Sequence, residues 1–93
     1  MDIQHQEGKK GVFFIEQDGE RLAELLYFHS GGGKINIYHT EVSEKLAGHG
    51  IGKQLVAAAV EYARGAELKI TATCPYASKV LAKNAEYADV YES

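Results

Sequence analysis

Three short stretches carry residue types that do chemistry: His39-Thr40-Glu41, the run AGHGIGKQ from Ala47 to Gln54, and Cys74-Pro75-Tyr76. Cys74 stands where an alternating strand meets a helix start, a setting that favours a nucleophilic thiolate. A free cysteine also serves as a small buried apolar side chain, so both roles stay open. In a regular strand His39 and Glu41 share one face, so either can act as a base, and Thr40 points to the other face. A bulge would exchange those faces. The plainer alternatives are a core histidine satisfied by a polar neighbour and a solvated glutamate at a strand end. Tyr76 offers a hydroxyl to a leaving group or simply a ring for packing.

The run AGHGIGKQ has glycine at 48, 50 and 52, then Lys53. Glycine weakens helices, yet these open an apolar helical pattern. Amides of His49, Gly50, Ile51 and Gly52 at a helix N-terminus suit a phosphate, with Lys53 adding charge. The alternative is a bend between strand and helix. For His49 the amide, rather than the ring, is the expected contact. Two familiar phosphate loops fail by position. A P-loop needs G-x-x-x-x-G-K-[ST], but Ala47 and Gln54 occupy its two ends. A G-x-G-x-x-G fingerprint needs glycine at 53 or 55, where Lys53 and Leu55 stand.

These groups need elements to hold them. Residues 12–16 and 22–28 read as strands joined by the hairpin signal Asp18-Gly19, and residues 35–40 alternate as a third strand. Ile35, Ile37 and His39 then share one face, with Asn36, Tyr38 and Thr40 on the other. Ser43 caps a short turn through Leu46. Ile51, Leu55, Ala59 and Tyr62 recur at helical spacing, predicting a helix from about Gly50 to Arg64, stopped by Gly65. Residues 68–73 alternate again, and the intervening helix implies a parallel, right-handed crossover to the third strand. Pro75 opens a second helix with Ala77, Val80 and Leu81 on its apolar side. The tail from Glu86 has no clear pattern. The expected class is α/β: a small mixed sheet with an antiparallel three-stranded meander, a central crossover helix, a parallel fourth strand and a C-terminal helix.

At 93 residues with 45% hydrophobic content and net charge −3, the chain has the size and composition of one globular domain. Scattered Lys and Arg, outnumbered by acids, point away from nucleic acid. No apolar run is long enough for a bilayer, and the first residues carry no signal-peptide pattern, so no membrane partner is expected. One cysteine fits a reducing cytoplasm. The four histidines show no metal-ligand spacing, so no metal is expected, and His5 and His29 are assigned to the surface by default.

The joint pattern resembles the GCN5-related N-acetyltransferases, whose signature is Arg or Gln, x, x, Gly, x, Gly or Ala at the start of the central helix. Gly50 and Gly52 fill the glycine positions, and Ala47 replaces the usual Arg or Gln. Residues 35–52, 55–63, Cys74-Pro75-Tyr76 and Glu86-Tyr87-Ala88-Asp89 are similar to the very short YjdJ-type subfamily. The resemblance implies a single acetyl-CoA-binding domain over residues 1–93 that transfers acetyl to an unidentified amine or protein acceptor. A non-catalytic acyl-CoA-binding or sensing module is the alternative. It implies pyrophosphate on Gly48, His49, Gly50, Ile51, Gly52 and Lys53, and pantetheine along the backbone near His39, Thr40, Glu41 and Val42. Cys74, His39 and Tyr76 are then closest to the chemistry, with Cys74 accepting the acetyl group or only contacting the thioester. Full-sized members carry helices between their first strands. Here Asp18-Gly19 closes that region directly, so a second subunit or a large partner is one way to complete an acceptor pocket.

Overall fold

The computed structural model describes residues 2–92, so Met1 and Ser93, the ends of the expected 1–93 domain, lie outside the described residues. The strands are β1 (Gln4–Gln6), β2 (Lys10–Gln17), β3 (Glu20–His29), β4 (Lys34–Val42) and β5 (Lys69–Ala72). Two helices, α1 (Ile51–Ala66) and α2 (Pro75–Lys83), complete the main elements. The sheet order is β1-β2-β3-β4-β5, with β1 to β4 antiparallel and β5 parallel to β4 through α1. The expected mixed α/β class is therefore observed, with β1 added to the meander.

Local chemistry accounts for the main connections. Asp18 and Gly19 have φ of 52° and 78°, the paired left-handed values of a two-residue hairpin turn. Ser43 Oγ accepts from the Lys45 amide at 3.2 Å and caps a single 3₁₀ turn, Glu44–Leu46. In α1, Ile51, Leu55, Val56, Ala59, Val60 and Ala63 form a buried stripe at helical spacing. In α2 the stripe is Ala77, Val80 and Leu81, as expected. Both helices share one core with Phe13, Ile15, Leu25, Tyr27, Ile35, Ile37 and Ile70 from the sheet.

Three features differ from the sequence reading. The main helix runs through Gly65 and ends at Glu67, which takes the left-handed φ of 57° and donates its amide to Ala63 and Arg64 carbonyls. The tail also has a role: Ile70 donates to the Val90 carbonyl, and Glu92 donates to Ile70, extending the sheet edge beside β5. Finally, His5 is partly buried rather than on the surface. Its ring stacks on Phe13 at 3.9 Å, meets Tyr62 edge-on at 4.6 Å, and its Nε2 lies 2.6 Å from Tyr27 Oη.

Candidate functional site

The cleft begins where β4 and β5 part. Their ladder runs from Lys34–Lys69 to Ile37–Ala72, and the amides of Thr73 and Cys74 both donate to the Ile37 carbonyl, at 3.0 and 3.2 Å. β4 continues for five more residues, 38–42, without β5 beside it. The register against β3 steps from Tyr27–Ile37 to Leu26–His39, leaving Tyr38 as a bulged extra residue. A bulge bends its strand and ends regular pairing, so it falls where the two strands separate.

The same bulge exchanges side-chain faces, correcting the regular-strand expectation. His39 pairs with Leu26 and Thr40 with Leu25, which is fully buried in the core. Thr40 therefore turns toward the helices, its Oγ1 3.4 Å from Cys74 Sγ. His39 faces the opposite side of the sheet, together with Glu41, as expected. Its Nε2 lies 3.2 Å from Glu41 Oε1 and 3.9 Å from Glu24 Oε2. Glu24, His39 and Glu41 thus bring ligand-type atoms within 4.8 Å of one another, a grouping drawn from two strands that linear spacing did not display. Arg21 competes for the same charge, 3.5 Å from Glu24.

An open cleft of about 470 Å³ occupies the gap, lined by residues 40–44, 46–48 and 50–52 and by Tyr76. Thr40, Glu41, Val42, Gly48, Gly50, Ile51, Gly52 and Tyr76 from the sequence reading meet there. Ser43, Glu44, Leu46 and Ala47 join them, and only their place beside the glycines could have signalled it. His39, His49, Lys53 and Cys74 are not in its lining. Cys74 is 7% exposed and caps α2, behind Thr40.

The three glycines have different causes. Gly50 is the N-cap of α1 with φ 66°, and no side chain caps the helix. The first intrahelical bond is Gln54 N–H to Gly50 O at 3.1 Å, so the first-turn amides of Ile51, Gly52 and Lys53 have no helical carbonyl to meet. Gly48 is also left-handed, with open space where a side chain would be. Gly52, in contrast, is helical and buried, and a Cβ there would lie 2.6 Å from Tyr76 Oη. Unpaired amides at a positive helix end bind anions, and open glycines let a phosphate oxygen approach the backbone.

A model of the GCN5-related N-acetyltransferase family matches residues 12–90. The chain belongs to this family. It is 37% identical over 77 residues to Protein NATD1 of Xenopus tropicalis, covering 82% of this chain and 71% of that one. A GCN5-like protein of Staphylococcus aureus, solved by NMR, is 40% identical with a TM-score of 0.77, covering 99% of this chain and 88% of that chain. The ribosomal-protein-alanine N-acetyltransferase of Brucella melitensis shares the fold at a TM-score of 0.64 and 16% identity, over 95% of this chain and 67% of that chain. Family and fold support an acetyl-CoA-dependent N-acetyltransferase-like function with an unidentified acceptor. The uncapped amides and left-handed glycines fit the pyrophosphate of that cofactor. Among the described residues no helix is long and apolar enough to cross a membrane.

The titrations clearly displaced by the fold lie elsewhere. Burial lowers the His5 pKa against an opposing pull from Glu7, and burial, aided by the Tyr62 hydroxyl, raises that of Tyr27. Burial also raises Tyr62. This cluster ties β1 and α1 to the sheet and holds the scaffold rather than the cleft.

Proposed function

We propose that this chain is a minimal cytoplasmic acetyltransferase of the very short YjdJ-type subfamily, one domain over residues 1–93, that moves acetyl from acetyl-CoA to an amine or protein side chain. The observation that carries the reading is the meeting, in one cleft, of an unpaired β4 edge and an uncapped helix N-terminus. On this reading the amides from Gly48 to Lys53 hold the pyrophosphate. Backbone of Thr40, Glu41 and Val42 pairs with the pantetheine arm as an added strand would. When bound, acetyl-CoA supplies an activated thioester.

The surrounding side chains have distinct tasks. Tyr76 is the hydroxyl donor for the departing thiolate. Thr40 is the wall that the acyl end contacts, and Cys74 backs it from behind rather than attacking, because the polar neighbour of its thiol is a hydroxyl and not a base. His39 takes the proton of an acceptor amine arriving from the opposite side of the sheet, with Glu24 and Glu41 beside it.

A second reading is a binding or sensing module without turnover. The direct β2–β3 hairpin favours it, since that connection contributes nothing to an acceptor pocket. Two measurements separate the readings. The first is an amide-shift titration with acetyl-CoA, CoA and ATP, in which residues 39–42 and 48–53 should respond to both CoA species and much less to ATP. No response in 48–53 to either CoA species would overturn both readings. The second is release of free CoA thiol in the presence of polyamines or lysine peptides. Turnover lost in His39→Ala supports transfer, while binding without turnover for any acceptor supports the sensing module.

A further inference from the structure

Beyond the main cleft, a second hollow of about 420 Å³ is lined by Lys53, Tyr76, Lys79, Val80, Lys83 and Asn84. Tyr76 lines both spaces, so they adjoin across its ring. Lys79 and Lys83 are four residues apart on α2 and therefore share one helix face. Lys53 reaches the same hollow from the first turn of α1.

The charge distribution makes this gathering unusual. Arg21, Lys34, Lys45 and Arg64 pair with carboxylates, and Lys69 donates to the Asp89 carbonyl. Lys53, Lys79 and Lys83 have no carboxylate within ion-pair distance among the described residues, as is also true of Lys9 and Lys10 near the start of β2. Of these, only Lys53, Lys79 and Lys83 gather at one hollow, in a chain whose net charge is −3. Like charges four residues apart on a helix repel. An anion between them would turn that repulsion into attraction.

We infer that this hollow is a second anion pocket, in which Lys53, Lys79 and Lys83 hold the ribose 3′-phosphate of coenzyme A. The inference rests on the acetyl-CoA reading above, and it adds a basis for choosing CoA over its dephosphorylated form. CoA carries its pyrophosphate and its 3′-phosphate on one ribose. A pyrophosphate at the start of α1 therefore brings the second phosphate to the flank where Lys53 points. A phosphomonoester carries nearly two negative charges near neutral pH, which suits three point charges better than a single pair.

The test is calorimetric titration of the full chain with CoA and with dephospho-CoA, for the wild type and for Lys79→Glu/Lys83→Glu. Both lysines are exposed on α2, so the variant's fold is checked simply by its circular dichroism. Three exposed charge contacts lead to about a tenfold preference of the wild type for CoA over dephospho-CoA. In the variant CoA binding weakens by at least that factor and dephospho-CoA binding changes little. Lys79→Arg/Lys83→Arg retains the preference. Equal wild-type affinity for the two ligands overturns the pocket while leaving the acetyl-CoA reading intact, and no binding of either ligand overturns both.

Discussion

A single methyl group at residue 52 separates a packing glycine from a ligand-approach glycine. An alanine Cβ at 52 would sit 2.6 Å from Tyr76 Oη and 2.8 Å from its Cε2 and Cζ, well inside van der Waals contact. Replacing a helical glycine by alanine gains up to about 1 kcal/mol of helix propensity. Overpacking of this kind costs about 1–3 kcal/mol, and the half-exposed Tyr76 ring can swing to relieve part of it. Gly52→Ala should therefore range from neutral to about 2 kcal/mol destabilising, the difference of those two effects. In a Tyr76→Ala background the obstacle is gone, and the same change should stabilise by about 0.5–1 kcal/mol. Urea unfolding of the four proteins yields the coupling, expected at about 1–3 kcal/mol. A coupling below about 0.5 kcal/mol would refute the claim that the ring dictates glycine here. Gly50→Ala is the control. With φ 66° and nothing within 4 Å, its cost of about 1–2 kcal/mol comes from the backbone alone and should not depend on Tyr76.

Other consequences can be checked with the same preparations. His39→Ala should leave CoA affinity within about twofold of wild type by calorimetry, because the imidazole lies across the sheet from the cleft and an exposed polar side chain contributes little at that distance. Gly11→Ala should cost about 3 kcal/mol or more in urea unfolding, since its Cβ would fall 2.2 Å from the Tyr27 ring, which is fully buried and has nowhere to move. The His5 pKa is depressed below its ordinary 6.5, so the unfolded chain takes up the proton first. Stability linked to neutral His5 is thus complete above about pH 6.5 and is lost as pH falls toward the folded value. His5→Phe should remove that dependence while keeping the stack on Phe13, as read from unfolding curves at about pH 5 and about pH 7.5.

Much of the scaffold was legible because it rests on local rules. Asp18-Gly19, Ser43, Pro75 and the α1 stripe each act within a few residues, and each does in the fold what its type demands. β1 was not legible, since Gln4-His5-Gln6 carries no apolar alternation. It is held by stacking of His5 on Phe13 and by Tyr27, residues that are distant in sequence. The helix end departs from the sequence pattern for a related reason. Gly65 offers the usual stop, but the chain continues until Glu67, where Leu68 can donate back to the Ala63 carbonyl and Lys69 can join the sheet beside Gly33. There tertiary pairing, rather than propensity, fixes the boundary.

The site shows the same division more sharply. Gly48 and Gly50 are legible because positive φ and open backbone are properties of glycine itself, whereas Gly52 is set by the distant Tyr76 ring. Nor is the face of His39 legible, since it depends on whether Tyr38 is paired, and that is decided by β3 on one side and by the end of β5 on the other. One unpaired residue carries Thr40 toward Cys74 and His39 toward Glu24, on opposite sides of a single strand. On the acetyltransferase reading proposed above, the bulge therefore assigns different tasks to adjacent residues. Thr40 belongs to the wall where an acyl group would be held, and His39 belongs to the side from which an acceptor would come. If a variant that paired Tyr38 itself with Leu26, and so moved every later side chain of β4 to the other face, kept both binding and turnover, that division of labour would be wrong. Deleting Tyr38 tests it from the other direction: Ile37 stays opposite Tyr27 and His39 opposite Leu26, so Thr40 and His39 keep their faces and both binding and turnover should survive without the bulge.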